Sequence, residues 1–207
     1  MNYFYIFLAI ISAYFIGSFP SAYLAGRLRR GVDIRREGSR NMGAMNVFYN
    51  VGLVEGLLVL AADIGKGAAS VALAHYLGVP QIVQLSAGVV TVLGHNFPLF
   101  LNFRGGKGGA TCIGILIYLM PWGIPFYAAL FGIGLLLTRN PTLSYSLAFI
   151  CFPFVGWLLY HKWELAIYTI VLLLFVLVRY IPRIIEMRAR GGSWRHVVQR
   201  KGLQDRL

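Results

Sequence analysis

The residues with the most evident chemistry lie in FRGGKGGAT, residues 103–111, where Arg104 is followed by Gly105, Gly106, Lys107, Gly108 and Gly109. Successive glycines allow backbone N–H groups to line a concave anion nest, and Lys107 adds a full positive charge. A helix starting near Gly109 would aim the positive end of its dipole at the same place. A phosphate group suits that description. The pattern is not a nucleotide P-loop, which requires a Gly-Lys-Ser/Thr after a strand; here Gly108 follows Lys107 and both flanks are apolar. A flexible basic turn is the plain alternative, and it has no use for so many glycines.

A second polar loop covers residues 29–50, where Gly38, Ser39, Asn41, Gly43 and Asn46 form a run of small hydrogen-bonding residues. Glycine permits close backbone approach, and Ser and Asn offer donors to an anion or caps to the next helix. A re-entrant turn whose side chains satisfy its own backbone fits the same composition. Two further features are unusual because they fall inside apolar runs. Asp63 and Lys66 are three residues apart, on one helical face, where they can pair. Ionisable groups at membrane depth face a polar cavity or the bundle interior, so a structural ion pair and a substrate contact are both open. His95, in GHNFPLF, is a candidate base or a structural histidine. Cys112 and Cys151 fall within apolar runs without metal-ligand spacing, so they are expected as buried small apolar residues, with no disulfide, metal or organic cofactor.

The elements that must hold these groups are membrane helices. The chain has 207 residues, 58% hydrophobic and 13% charged, with mean hydropathy +0.68, which argues against a soluble globule. Apolar runs near 3–25, 53–77, 82–102, 110–120, 123–138, 146–161 and 164–180 predict an all-α integral membrane protein with about seven transmembrane helices. The fourth is too short to cross unless tilted, extended or shielded. The first run lacks a preceding basic region and a clear cleavage site, so it is expected to remain as a span. Residues 1–183 are expected to form one polytopic domain and 184–207 a basic cytoplasmic tail.

Lysine and arginine are distributed unevenly: six within 27–40, two at 104 and 107, one at 139 and eight within 179–206. That asymmetry places the N-terminus outside and the basic loops and C-terminus in the cytoplasm. The net charge of +12 therefore belongs to one face, and its natural partners are membrane lipids with anionic headgroups, or anionic substrates arriving from the cytoplasm. Nucleic acid is not expected, because juxtamembrane position accounts for the basic tail.

Taken together, GSRNMGAMN (38–46), ADIGKG (62–67) and GHNFPLFLNFRGGKGGAT (94–111) resemble, in kind, order and spacing, three blocks of the bacterial acyl-phosphate:glycerol-3-phosphate acyltransferase family. The resemblance runs from about Tyr14 to Thr111, and the later spans match mainly in hydropathy. It implies a multi-pass enzyme of the bacterial inner membrane with a cytoplasmic-side active site. The implied reaction makes lysophosphatidic acid, in the first step of phospholipid synthesis, from an acyl phosphate and glycerol 3-phosphate. By the same resemblance Lys107, His95 and Ser39 are the expected catalytic residues. Asn41, Gly43, Asn46, Lys66, Arg104, Gly105, Gly106 and Gly108 are expected to bind substrate, joined by Arg139, Thr142 and Arg183. None of the four histidines has an aspartate five positions later, the pair typical of acyltransferases that use thioesters.

The chain departs from the family pattern in the acceptor half. Tyr49 stands where members usually carry Arg, Arg139 is followed by NPTLSYS rather than a serine-rich segment, and Tyr180 and Arg183 stand in place of His and Asn. Basic groups such as Arg183, Arg139 or Arg40 retain the chemistry to bind a phosphate. Two alternatives follow: the same donor with a different acceptor, or a small-anion transporter, since glycine-broken membrane segments with intramembrane charge also mark transport sites.

Overall fold

The computed structural model describes residues 2–194 and 198, and no strand occurs among them. The chain divides after Tyr118 into two compact units. The first contains α1 (Tyr3–Ser18), α2 (Ser21–Arg30), α3 (Ala44–Asn50), α4 (Leu53–Tyr76) and α5 (Gln81–Asn96), and nearly all of α6 (Gly109–Leu119).

The expected first span, 3–25, is two helices. Pro20 has no N–H to continue the ladder and holds Phe19 out of the helical region, at ψ 118°. The chain restarts at Ser21, and α2 closes on Gly31 in the left-handed conformation, whose N–H donates to the Arg27 carbonyl while the Val32 N–H donates to that of Gly26. The break leaves the Phe19 carbonyl inside the unit, where a side chain from α4 reaches it.

Small residues set the helix crossings. A Cβ at Gly17 on α1 would collide with the Thr91 backbone of α5, and one at Gly114 on α6 would collide with the Ile64 carbonyl of α4. In lipid, such close backbone approach substitutes for the hydrophobic drive between helices. Two apolar clusters complete the packing, one around Ala9, Ala13, Ala74 and Ala87, the other around Ile34, Met42, Val47 and Val59. The second lies directly beneath the 31–43 loop and gives it a firm floor.

The second unit carries α7 (Ile124–Thr138), α8 (Pro141–Ala148), α9 (Cys151–Leu158) and α10 (Trp163–Gly191). Asn140 caps α8 by accepting from the Leu143 N–H, with Pro141 in the first turn. Tyr127, Phe149 and Phe152 meet with ring centroids 5.8–6.2 Å apart. α10 does not stop near residue 180 as expected; it passes Pro182 and continues to Gly191. Glu186 pairs with Arg183 and Arg190, each at 2.6 Å and at helical spacing, which supports the turns that the proline weakens. The remainder of the expected tail, 195–197 and 199–207, lies outside the described residues.

Among the described residues, six helical stretches are long and apolar enough to cross a membrane: Tyr3–Arg30, Leu53–Tyr76, Gln81–Leu101, Pro121–Thr138, Pro141–Leu158 and Trp163–Gly191. α6 has eleven residues and covers only about 16 Å of a core roughly 30 Å thick. Large apolar side chains such as Phe7, Leu58, Leu136 and Val178 are exposed, as lipid-facing residues are.

Candidate active site

The first unit brings two of the expected site residues, Lys66 and His95, to one buried carboxylate. Asp63 Oδ1 accepts from Ser21 Oγ at 2.7 Å and from Lys66 Nζ at 2.8 Å, and His95 Nδ1 lies 3.7 Å away. Lys66 Nζ also donates to the Phe19 carbonyl at 3.4 Å, the oxygen released by the Pro20 break. Asp63 and His95 are at most 3% exposed and Lys66 is 6%. Three helices and the α1–α2 break thus converge on one oxygen, and the charge on Lys66 is compensated within the unit.

The 31–43 loop is organised by another buried amide. Asn46 Nδ2 donates to the carbonyls of Ile34, Glu37 and Asn41 at 3.0–3.1 Å. Its Oδ1 accepts from the Ser39 N–H at 3.0 Å and from Asn50 Nδ2 at 2.9 Å. Of the residues expected to touch substrate here, Asn46 is wholly engaged in shaping the loop. Ser39, Asn41 and Gly43 are the partly exposed positions it holds in place.

The glycine-lysine loop is seated on the end of α5. The N–H groups of Gly105 and Gly106 donate to the carbonyls of Asn96 and His95, each at 3.1 Å, and so satisfy acceptors that a helix C-terminus leaves open. A Cβ at Gly106 would strike His95 Nε2 and come within 2.6 Å of the Met42 carbonyl. The first two glycines therefore permit close docking, and their amides are already engaged. An amide cradle for an anion narrows to Gly108, in the left-handed region at φ 85°, and the first turn of α6 from Gly109. Lys107 sits between the two halves.

Beside the loop, four arginines and Asp33 open on a cleft of about 460 Å³ that includes Arg104 and Gly105. Asp33 takes a bidentate contact from Arg35, at 3.0 and 2.8 Å. That hydrogen-bonded guanidinium holds the Asp33 carboxyl below its usual range against the opposing effect of burial, and the Arg35 guanidinium is raised in turn.

The remaining expected residues lie in the second unit. Arg139 caps α7 at φ 52°, the Thr142 carbonyl accepts from Ser146 Oγ, and Arg183 pairs with Glu186. Sequence reasoning did not single out Ser21 or Asn96. Asn96 is fully buried, and neither polar atom of its amide has a hydrogen-bond partner among the described residues. Its Oδ1 would stand 3.1 Å from a Cβ at Gly108. A buried, unsatisfied amide beside the cradle is a candidate to contact whatever enters it. Its only signal in the sequence is adjacency to His95.

A family model described as glycerol-3-phosphate acyltransferase matches residues 7–190. "Glycerol-3-phosphate acyltransferase 2" of Dehalococcoides mccartyi strain 195 is 48% identical over 204 residues, covering 98% of this chain and 97% of that protein. The enzyme named glycerol-3-phosphate acyltransferase from Bacillus subtilis strain 168 is 40% identical over 190 residues, with 90% and 97% covered. Among solved structures, the glycerol 3-phosphate form of PlsY (YgiH), an integral membrane glycerol 3-phosphate acyltransferase, superposes with a TM-score of 0.81 at 29% identity, covering 90% of this chain and 92% of that one. The lysophosphatidic acid form of PlsY gives 0.78 at the same identity.

Proposed function

The chain belongs to the glycerol-3-phosphate acyltransferase family and is a multi-pass membrane acyltransferase, and from that premise we propose that it moves an acyl group from an acyl phosphate to a hydroxyl of glycerol 3-phosphate, giving lysophosphatidic acid. The proposed setting is the cytoplasmic side of the bacterial inner membrane, where the basic loops would lie. The observation that carries the reading is the docking of the glycine-lysine loop on α5, which brings a phosphate cradle next to the Asp63–Lys66–His95 cluster. The relatives named for this substrate, and the PlsY form containing it, support glycerol 3-phosphate as acceptor.

An acyl phosphate is a mixed anhydride and is already activated, so no covalent enzyme intermediate is required. The acceptor oxygen attacks the carbonyl carbon, the bond from that carbon to the phosphate oxygen breaks, and inorganic phosphate departs. Lys107, Gly108 and the first turn of α6 would bind the donor's phosphate and stabilise charge growing on it. Arg104, Gly105, Gly106 and Gly43 form the walls, Ser39 and Asn41 offer donors from the loop that Asn46 shapes, and Lys66 contributes field from behind. The acceptor's proton passes to the departing phosphate, with His95 as the side-chain alternative.

The direct test gives the purified protein in lipid labelled glycerol 3-phosphate with palmitoyl phosphate, with a palmitoyl thioester, or with neither. Lysophosphatidic acid formed from the acyl phosphate alone, and lost in Lys107→Ala, is the expected result. Equal yield from the thioester would overturn the donor, and acyl phosphate turnover without ester would overturn the acceptor.

A further inference from the structure

We propose that Asn96 is a specificity-determining residue for the acyl donor: its side-chain amide receives the phosphate oxygen that gains a proton as the acyl group leaves. The inference rests on the acyl-phosphate reading above and concerns a residue within that site, not a second site.

Asn96 is fully buried, and neither Oδ1 nor Nδ2 has a hydrogen-bond partner among the described residues. Leaving both ends of a buried amide unpaired is costly, so the side chain calls for a partner. Its place in the fold identifies that partner. Gly108 packs on it so closely that a Cβ there would come within 3.1 Å of Asn96 Oδ1 and 2.7 Å of a Val92 methyl. From Gly108 the chain enters α6, and the N–H groups of Gly108, Gly109, Ala110 and Thr111 have no acceptor among the described residues. Such a helix start suits an anion. The Thr111 hydroxyl is buried and unpartnered as well, whereas the buried hydroxyls of Thr91 and Thr169 each donate to the carbonyl four residues back. Thus α5 and α6 each bring an unpaired polar side chain to the same helix start.

The chemistry of the step says what the amide is for. The acceptor's hydroxyl oxygen bonds to the carbonyl carbon as the bond from that carbon to the phosphate oxygen breaks. The hydroxyl proton ends on the departing phosphate, so a dianionic acyl phosphate leaves as hydrogen phosphate, with the same charge and one P–OH. Lys107 and the N–H groups at the start of α6 can only donate hydrogen bonds. They match the bare oxygens of the donor and offer nothing to the new P–OH. Asn96 Oδ1 supplies the acceptor, while Nδ2 donates to a neighbouring oxygen. The phosphate reaches the amide by displacing Gly108, which stands at φ 85° and has the backbone freedom to yield. The same amide sorts anions. Hydrogen phosphate and sulfate are both tetrahedral dianions at neutral pH, but only the phosphate has a proton to give.

Labelled phosphate and labelled sulfate are therefore dialysed to equilibrium against the full-length protein in nanodiscs of neutral lipid, with glycerol 3-phosphate present to fill the acceptor's place. Wild type should hold phosphate at least about tenfold more tightly than sulfate. Asn96→Leu keeps the branched shape and removes both polar atoms, and it should bring the two anions within about twofold of each other. With palmitoyl phosphate as donor, the same variant should lose about tenfold or more in kcat with a smaller change in KM, because the bond to Oδ1 forms only as the proton arrives. Wild type supplies a reading that does not depend on how any variant folds: sulfate bound as tightly as phosphate overturns the proposal. A phosphate preference that survives in Asn96→Leu also overturns it, and marks the amide as the partner of a buried water. The two readings fail separately, since a wild type that makes no ester from palmitoyl phosphate overturns the acyl-phosphate reading, whatever the anion ratio.

Discussion

The charges around Asp63 and those on the polar loops live in the same unit under opposite rules. Around Asp63 every charge is answered from within: the lysine, a hydroxyl and a histidine come to one carboxylate, and the network is closed to solvent. On the loops Asp33 answers Arg35 alone, and Arg36, Arg40 and Arg104 are left open. Buried charge is tolerated only when satisfied, so it fixes geometry; open charge held on a rigid rim is suited to receive an anion. On the loop side Asn46 makes the rim rigid, since its buried amide binds three carbonyls.

The largest expected effect tests the closed side. Asp63→Asn leaves Lys66 buried at 6% exposure without its counter-charge, and breaking a buried pair costs about 3–5 kcal/mol. Thermal unfolding in lipid should show that loss at any substrate concentration. An unchanged midpoint would mean the network does not hold the unit together. Lys107→Ala tests the open side and should do the reverse: kcat/KM falls by roughly 100- to 1000-fold, as when one donor to developing charge is removed, while the midpoint stays. If both variants lowered the midpoint alike, the distinction between the two regions would fail.

Gly106→Ala sits on the border and sharpens it. The added Cβ meets the His95 imidazole and the Met42 carbonyl, and overpacking of this kind costs about 1–3 kcal/mol. Because the strain bears on His95 and on the seat of the loop, turnover and stability should fall together. A drop in turnover alone would place the Gly106 amide at the substrate instead of at the His95 carbonyl.

Much of this was legible in the sequence, for identifiable reasons. Hydropathy alone marks the spans, because burial in lipid is a property of composition, and the glycine-lysine loop declares its charge and freedom locally. What was not legible depends on partners distant along the chain. Ser21 and Asp63 are forty-two residues apart, and nothing in the local run around Pro20 announces that the break serves Lys66. Asn46 reads equally as a ligand or as a cap, and only the three carbonyls it gathers decide for shaping the loop. Likewise Gly105 and Gly106 look like anion donors until the end of α5 is seen to take their amides. α10 outran its expected end because a ladder of Arg183, Glu186 and Arg190 supports the turns after Pro182.

The smallest effect concerns the one place where the open side is closed. The hydrogen-bonded Arg35 guanidinium holds Asp33 below its ordinary value of 3.8. A carboxylate whose folded-state pKa is depressed contributes stability that is fully present above the unfolded pKa and is lost as pH falls through the folded one. For a partly exposed pair that contribution is about 0.5–1 kcal/mol after solvent screening. Between roughly pH 5 and 8, Asp33→Asn should therefore unfold slightly below wild type by a constant margin, and the two curves should begin to converge below about pH 4, meeting only below the folded-state pKa. The sign matters because Asp33 also holds Arg35 in place. A margin that instead widened toward acid would show that the Asp33 carboxyl is raised in the folded protein, with Arg35 turned away from it and toward the cleft.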